Sequence, residues 1–451
     1  MADAAATGAA SGAVPGLPRQ WISTMSLLLR TRHARRRGDA EAVLRAAATQ
    51  GGTTVRFALG RQRVLLVLTP DLAGQVLVDH AAHTVKGPGL QRTRPLLGDG
   101  LLTSQGQTHH RVRRLVAPAF SPGRLAAYTD VFTRRTGEHV AAWTDGTTLD
   151  LHREMSALTL HLVGRTLLGV DLTTDTTGVR TGLDSALARF ADDGPLGLRG
   201  QARARRARTR DRADPEPGTN PLHAVVDRII AQRRASPATG PGDIVSALLA
   251  ASGEPGGLSQ TEVHDHVITL LLAGHETTAN ALTWTLYLLG EHPHIERRLH
   301  RELAGPGAPA YTRAVISEAM RLYPPAWIIG RRLTTDLHLD GRHTPAGTLV
   351  AVSPLLLHRD PRWFPDPQRF DPDRWLDERR TAVPRYAYLP FGAGSRSCIG
   401  EQFAWTEATT VLAVIASRWT ARSLPGRPVR PEYRVTLRPA GGLPATLRAR
   451  T

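Results

Sequence analysis

The chain has one cysteine, one lysine and few aromatic residues, which fill 5% of its 451 positions. A single cysteine excludes an internal disulfide framework and fits a reducing compartment. No stretch approaches the ~20 apolar residues needed to cross a bilayer, so no membrane span is expected. Met1 to Pro18 are rich in Ala, Gly, Ser and Pro and lack a basic segment followed by an apolar one. They read as a disordered tail over 1–17 and not as a secretory signal, and the expected location is cytoplasmic. Acidic residues are the minority: 40 Asp and Glu against 57 Lys and Arg give a formal charge of +17. Every one of those basic residues except Lys86 is an arginine. Nucleic acid is the first partner such a charge suggests. However, the arginines are spread along the chain, without zinc-finger spacing, an RNA-recognition signature or a basic zipper, so no nucleic-acid partner is expected. A basic face suits an acidic protein partner, through electrostatic steering.

The apolar fraction of 41% is ordinary for a globular protein. Length alone suggests two or three domains. Residues 52–69 alternate (Val55, Phe57, Leu59) and then run apolar from Val64 to Leu68, with Gly60 between, which predicts a β-hairpin. Most of the remainder has helical periodicity. His266 to Leu289 is apolar almost all round and is expected to run buried through the middle of the fold. Stretches rich in Pro, Gly and Ser at 213–221, 236–242 and 252–257 read as surface loops. Arg199 to Arg212 carries seven arginines, a like-charge run expected to be solvated. After Arg331 come short strands and turns: Leu337 to Leu339, the Asp340-Gly341 turn, and Leu349 to Val352. From His358 to Pro390 there is no periodicity, and an irregular segment of roughly 30 residues in a compact protein is often functional.

That segment ends at Phe391-Gly392-Ala393-Gly394-Ser395-Arg396-Ser397-Cys398-Ile399-Gly400, which leads into an amphipathic helix expected over Glu401 to Trp419. A free thiol ionises near pH ~8.5. A helix N-terminus favours the thiolate by about 0.3–1 kcal/mol, and a metal deprotonates it outright. Gly392, Gly394 and Gly400 let backbone N–H groups approach a flat ligand and the sulfur. Arg396 is in reach of an anionic group. This frame argues against the ordinary fate of a lone cysteine, a small buried hydrophobe. On the long helix, Ala273-Gly274-His275-Glu276-Thr277-Thr278 places an acid beside an alcohol, a pair able to relay protons and costly inside an apolar helix unless used. Thr277 is expected to bond back to the carbonyl of Ala273. Glu318 and Arg321 sit three apart on one helix face. His109 and Arg113 sit four apart and share another.

Phe391, Gly394, Arg396, Cys398 and Gly400 fill every fixed place of the haem-binding signature of the cytochrome P-450 superfamily, and the chain resembles that family from about Pro18 to its C-terminus. The resemblance implies one domain over 18–451 instead of two or three. It implies a mainly α fold with a small β-rich region, a triangular helical prism holding haem between the long central helix and the cysteine-loop helix. The implied cofactor is haem b (iron protoporphyrin IX), with Cys398 as the metal ligand, whose thiolate favours O–O cleavage. Phe391, Gly392, Gly400 and Ala273 would lie against the haem. His109, Arg113, Arg331 and Arg396 occupy places where the family binds haem propionates, with His110 the competitor of His109. Glu276 and Thr277 resemble the catalytic acid–alcohol pair that delivers protons while dioxygen is activated. Glu318 and Arg321 resemble the Glu-x-x-Arg motif, with Arg374 as third partner in a structural network.

The family's substrate pocket would take Leu272, Ala273, Thr277, Trp327 and Ile328, mostly apolar, which fits an apolar small molecule. The expected activity is that of a monooxygenase consuming O2, acting on a terpenoid in secondary metabolism, as in actinobacterial relatives that Phe370 to Trp375 and Tyr388 to Phe391 resemble. Macrolide, polyketide or fatty-acid oxidation is the alternative within the same chemistry. A haem-containing recruitment domain without turnover and a peroxide-driven oxygenase are the alternatives outside it; the intact Glu276-Thr277 pair argues against both. The residues after Pro425 are too few for a flavin or ferredoxin module, so electrons are expected from a separate ferredoxin and its NAD(P)H-dependent reductase. A monomer is expected.

Overall fold

Alternating apolar residues build the hairpin, and its second strand draws in the rest of a sheet. The computed structural model describes residues 40–49, 51–59, 62–183, 220–236, 243–254, 257–306 and 309–450. The expected tail 1–17 and the arginine run 199–212 lie outside the described residues. Thr54–Leu59 and Gln62–Val67 pair antiparallel, with Phe57 opposite Val64. Val64, Leu65, Leu66 and Val67 are all buried. A strand buried on both faces belongs inside a sheet, and it takes a second neighbour, the parallel strand Leu349–Val352. Ile329–Leu333 follows antiparallel, and Thr84–Lys86 closes the edge with Lys86 opposite Arg331. Between Leu337–Leu339 and Arg342–Thr344, Asp340 and Gly341 have φ of 58° and 66°. Two consecutive positive φ values are the hairpin turn whose twist matches its strands.

The central helix runs Gln260–Glu291, longer at both ends than its apolar stretch. Its polar first turn is held by a capping box: Ser259 Oγ accepts from the Glu262 N–H at 3.1 Å, and Glu262 Oε2 from the Ser259 N–H at 2.8 Å. At ~1.5 Å per residue the helix spans about 48 Å and crosses the whole core. Helix Leu151–Val163 packs along it at Gly274, where a Cβ would lie 3.1 Å from Val163 Cγ2. Thr159 Oγ1 donates across this contact to the His275 carbonyl at 3.1 Å. Some expected loop residues are helical instead. Asn220 caps helix Pro221–Ala235 by accepting from the Leu222 N–H, and Ser252 ends helix Ile244–Ser252.

The helix after the cysteine spans Glu401–Arg418. It stops one residue earlier than expected because Trp419 opens the strand Trp419–Ser423, which pairs with Pro444–Ala449. Phe403 on this helix meets Phe120, Tyr128 and Phe132 edge-on, at centroid distances of 6.2, 5.8 and 5.3 Å. Such contacts add about 0.5–1.5 kcal/mol beyond burial, and here they fix the helix against Pro122–Ala141.

The irregular segment before the cysteine is anchored by the expected ion network. Glu318 and Arg321 are both 0% exposed. Arg321 Nε and Nη2 donate to the two Glu318 oxygens at 2.8 Å each. Its remaining donors reach the carbonyls of His358, Pro367 and Arg369. Arg374 Nε, the Asp371 N–H and Trp375 Nε1 complete the Glu318 carboxylate at 3.2, 3.0 and 2.9 Å. Backbone without its own ladder is thus satisfied by side-chain donors.

Candidate active site

The cysteine loop takes its shape from two left-handed glycines. Gly392 and Gly394 have φ of 69° and 72°. At Gly394 a Cβ would also fall 2.1 Å from the Leu77 carbonyl oxygen, so no other residue fits there. The turn closes with the Cys398 N–H donating to the Phe391 carbonyl at 2.9 Å. Phe391 is held edge-on to Trp405 at 5.6 Å, and Arg313 covers the Trp405 ring at 4.0 Å. Cys398 and Gly400 lie at the N-terminus of the helix that follows. The thiol is accessible although it sits deep in the molecule. Burial pushes it up to about 11, opposed by the N–H of Gly400, with Glu401 raising it further and Arg113 lowering it. As a free thiol this group stays protonated at neutral pH; only a strong cation such as iron makes it the thiolate.

The expected cations converge on this loop. His109 is the buried member of the His109-His110 pair and His110 is exposed, so the helix Gly106–Val116 turns His109 inward. Arg113 Nη1 donates to the Ser397 carbonyl at 2.8 Å, and Arg396 Nη1 to the Ser104 carbonyl at 3.1 Å. Arg331 is 9% exposed, and among the described residues its side chain donates only to the Gly330 carbonyl. A fifth cation joins them that the sequence reading left out. Lys86, the single lysine, is buried and donates to the carbonyls of Leu101 and Leu102. Its composition was visible, but its place depends on pairing opposite Arg331, which no local pattern reveals.

Electrostatics show that this cluster lacks its anions. Burial, then Arg396 and Arg331, push Lys86 down to about 7. Burial, then Arg396, Lys86 and Arg113, push His109 down to about 3. Burial and Arg396 push Arg331 down to about 10. Among the described residues, Lys86, Arg113, Arg331 and Arg396 form no ion pair with a carboxylate, and the buried Nδ1 of His109 has no hydrogen-bond partner. Buried charges are ordinarily paired. A flat ligand with two carboxylates, ligated at the adjacent sulfur, supplies what these groups lack, and the residues present therefore fit haem.

Across the central helix the acid–alcohol pair is split between two environments. Thr277 Oγ1 donates to the Ala273 carbonyl at 2.9 Å, as expected, and Thr277 is half-buried beside exposed Ala273. Glu276 is buried and accepts at Oε1 from Asn280 Nδ2 at 3.1 Å and from Thr436 Oγ1 at 3.0 Å. Asn280, four residues along the same helix, was legible from its spacing though not singled out; Thr436, 160 residues away, was not legible.

Of the expected pocket residues, Leu272 is 8% exposed and Ile328 is half-buried. Trp327 is a correction. It is 1% exposed, packs with Val55, Phe57 and Val64, and donates from Nε1 to the Arg434 carbonyl at 2.9 Å. The indole turns into the core because its N–H finds a fixed acceptor there, and so it does not line a pocket.

The Cytochrome P450 family model matches residues 15–442. Cyclooctatin synthase of Streptomyces melanosporofaciens is 42% identical over 404 residues, covering 86% of each chain. Pentalenene oxygenase of Streptomyces avermitilis is 34% identical over 459 residues, covering 98% of each chain. Among solved structures, a cytochrome P450 of Thermus thermophilus aligns with a TM-score of 0.74 and 31% identity over 95% of this chain and 100% of that one.

Proposed function

Since this chain belongs to the cytochrome P450 family and is a haem-thiolate monooxygenase, we propose that it inserts one oxygen atom from O2 into a terpenoid of secondary metabolism, using haem b. The terpenoid class rests on its similarity to cyclooctatin synthase, cyclooctat-9-en-7-ol 5-monooxygenase and pentalenene oxygenase. The observation that carries the reading is the accessible turn of the central helix. It offers the methyl of Ala273 and a single hydroxyl, Thr277, beside apolar Leu272. Such a surface orients a hydrocarbon by shape, with little to hydrogen-bond a polar substrate.

Bound haem supplies the activation of dioxygen. Cys398 would hold it at the sulfur, and His109, Arg113, Arg331, Arg396 and Lys86 would hold its carboxylates. Thr277 donates its own proton to the Ala273 carbonyl, so its oxygen faces the site as an acceptor able to hold a proton in transit. Glu276 supplies that proton. Electrons come from a separate acidic ferredoxin and its NAD(P)H-dependent reductase in the cytoplasm, and the enzyme works as a monomer. Exposed His110, Arg111 and Arg114 on the Arg113 helix suit such a partner.

The test is a spin-state titration of the ferric protein with pentalenene, a macrolide and a long-chain fatty acid. A shift with pentalenene alone is expected; a shift with only the other two overturns the terpenoid reading. Thr277→Ala should still consume NAD(P)H but release most of it as peroxide, and unchanged coupling removes Thr277 from the relay. Cys398→Ser should lose the thiolate Soret band of the reduced carbon monoxide complex.

A further inference from the structure

Glu276 is the acid of the proposed relay, and the hydrogen bonds around it define how it is held. Asn280 lies one turn further along the same helix. Its Nδ2 donates to Glu276 Oε1 at 3.1 Å and to Thr436 Oγ1 at 3.3 Å. The Thr436 hydroxyl in turn donates to Glu276 Oε1 at 3.0 Å. These three groups form a closed triangle, and Asn280 and Thr436 are both buried. The remaining Asn280 atom, Oδ1, meets His152 Nε2 at 3.0 Å. An amide oxygen only accepts, so His152 must carry its proton on Nε2. A rotated Asn280 amide would turn its oxygen toward the Glu276 carboxyl and its N–H groups toward His152. The Glu276 and Thr436 acceptors therefore fix which way the amide faces, and the amide in turn fixes the His152 tautomer.

Both other members arrive on elements fixed from outside. His152 lies in the first turn of helix Leu151–Val163, whose cap Asp150 accepts from the His152 N–H at 3.0 Å. Thr436 sits between the paired strands Pro431–Tyr433 and Leu437–Pro439. Two tryptophans pin that hairpin: Trp284 Nε1, one turn beyond Asn280, donates to the Leu437 carbonyl at 3.3 Å, and Trp327 Nε1 to the Arg434 carbonyl at 2.9 Å. This gives Trp327 a purpose in place of the pocket.

We propose that Thr436 and Asn280 are positioning residues for proton delivery, clamping Glu276 by Oε1 so that Oε2 alone exchanges the proton, with His152 holding the Asn280 amide by its oxygen. Two donors occupy Oε1, and Oε2 has no protein partner among the described residues. The proton on Oε2 passes toward Thr277, and water returns one to the same oxygen, while both bonds to Oε1 stay intact. The carboxyl thus need not rotate between cycles, and fixed geometry is what makes a general acid effective. This inference rests on the proposed role of Glu276.

The experiment uses the intact holoenzyme with pentalenene and a surrogate ferredoxin and reductase. It compares Glu276→Gln, Thr436→Val, Thr436→Ser and Asn280→Leu by peroxide released per NAD(P)H and by infrared difference spectra of the ferric protein. Glu276→Gln identifies the Glu276 carboxyl band. Thr436→Val and Asn280→Leu should shift that band and raise the peroxide-to-product ratio on the order of tenfold, below the ~100-fold cost of an ångström of misplacement. Thr436→Ser should restore both, which a loss of packing would not allow. If Glu276→Gln raises peroxide but Thr436→Val and Asn280→Leu leave band and ratio unchanged, the clamp is wrong and the Glu276 role stands. If Glu276→Gln itself changes neither coupling nor solvent isotope effect, both readings fall.

Discussion

The cations around Glu318 and those around the cysteine loop are built on opposite terms. Around Glu318 every charge has its partner: Arg321 commits its guanidinium to one carboxylate and three carbonyls, and Arg374 joins on the same carboxylate. Among the described residues Lys86, Arg331 and Arg396 form no ion pair with a carboxylate, and the cations depress one another. The first group has nothing left to offer a ligand. The second is stable only on terms that a dianionic ligand completes. Both groups gather cations inside the fold; satisfaction is what separates a structural network from a binding site.

The sharpest way to break this contrast is at Glu318. Glu318→Ala leaves two buried guanidiniums without an anion and removes the acceptor of the Asp371 N–H and Trp375 Nε1. Removing one partner of a buried pair costs about 3–5 kcal/mol, a large part of the ~5–15 kcal/mol that holds a domain together. Urea unfolding should show that loss with or without haem. An equal loss on removing Lys86 would erase the distinction between the groups.

The sequence disclosed these groups unequally, for physical reasons. Cys398 and its glycines were readable because a single turn fixes them: the left-handed Gly392 and Gly394 and the Cys398-to-Phe391 bond all lie within eight residues. Glu318 and Arg321 share a helical turn, so their pairing was legible, while Arg374 came only through family resemblance. Lys86 was visible as a rarity but not as a member of the cluster, because strand register places it against Arg331. Thr436 reaches Glu276 through a hairpin pinned by two tryptophans, and long-range packing of that kind leaves no local period. Trp327 was misplaced for the same reason: it packs in one core cluster with Val55, Phe57 and Val64, far from it in sequence.

Glu407 extends the comparison to a buried acid without a cation. Like Glu318 it is 0% exposed, yet among the described residues neither of its oxygens has a hydrogen-bond partner in ordinary geometry. Burial holds its carboxyl well above the usual carboxylate range, opposed by the Thr278 hydroxyl. The folded chain therefore binds a proton here that the unfolded chain has released above about pH 4.3. Stability falls as pH rises from that point toward the folded value. Glu407→Gln removes the titrating group and should remove this slope, which is worth about 1.4 kcal/mol for each pH unit over which only the folded chain holds the proton. Unfolding curves from pH 5 to 8 measure it, and parallel slopes for both proteins would show that Glu407 is paired after all.

The smallest expected effect is at Lys86, and its sign is the informative part. In the folded chain without haem Lys86 is held at about 7, against 10.5 in its ordinary state. Between those values the unfolded chain binds the extra proton, so stability of the haem-free protein should rise with pH across that window and level off above it. Lys86→Met keeps the buried stem but removes the charge. It should flatten the rise and stabilise the haem-free protein at pH 7 by about 1 kcal/mol, within the range of ordinary single substitutions. With haem bound the sign reverses: losing one cation from the cluster should speed haem transfer to a scavenger protein by about tenfold, the low end for groups that support a metal site. Opposite signs in the two states would show that the cluster is arranged for its ligand and not for the fold. If Lys86→Met destabilises both states alike, its bonds to the Leu101 and Leu102 carbonyls outweigh its charge, and Lys86 belongs with Arg321 as a structural cation.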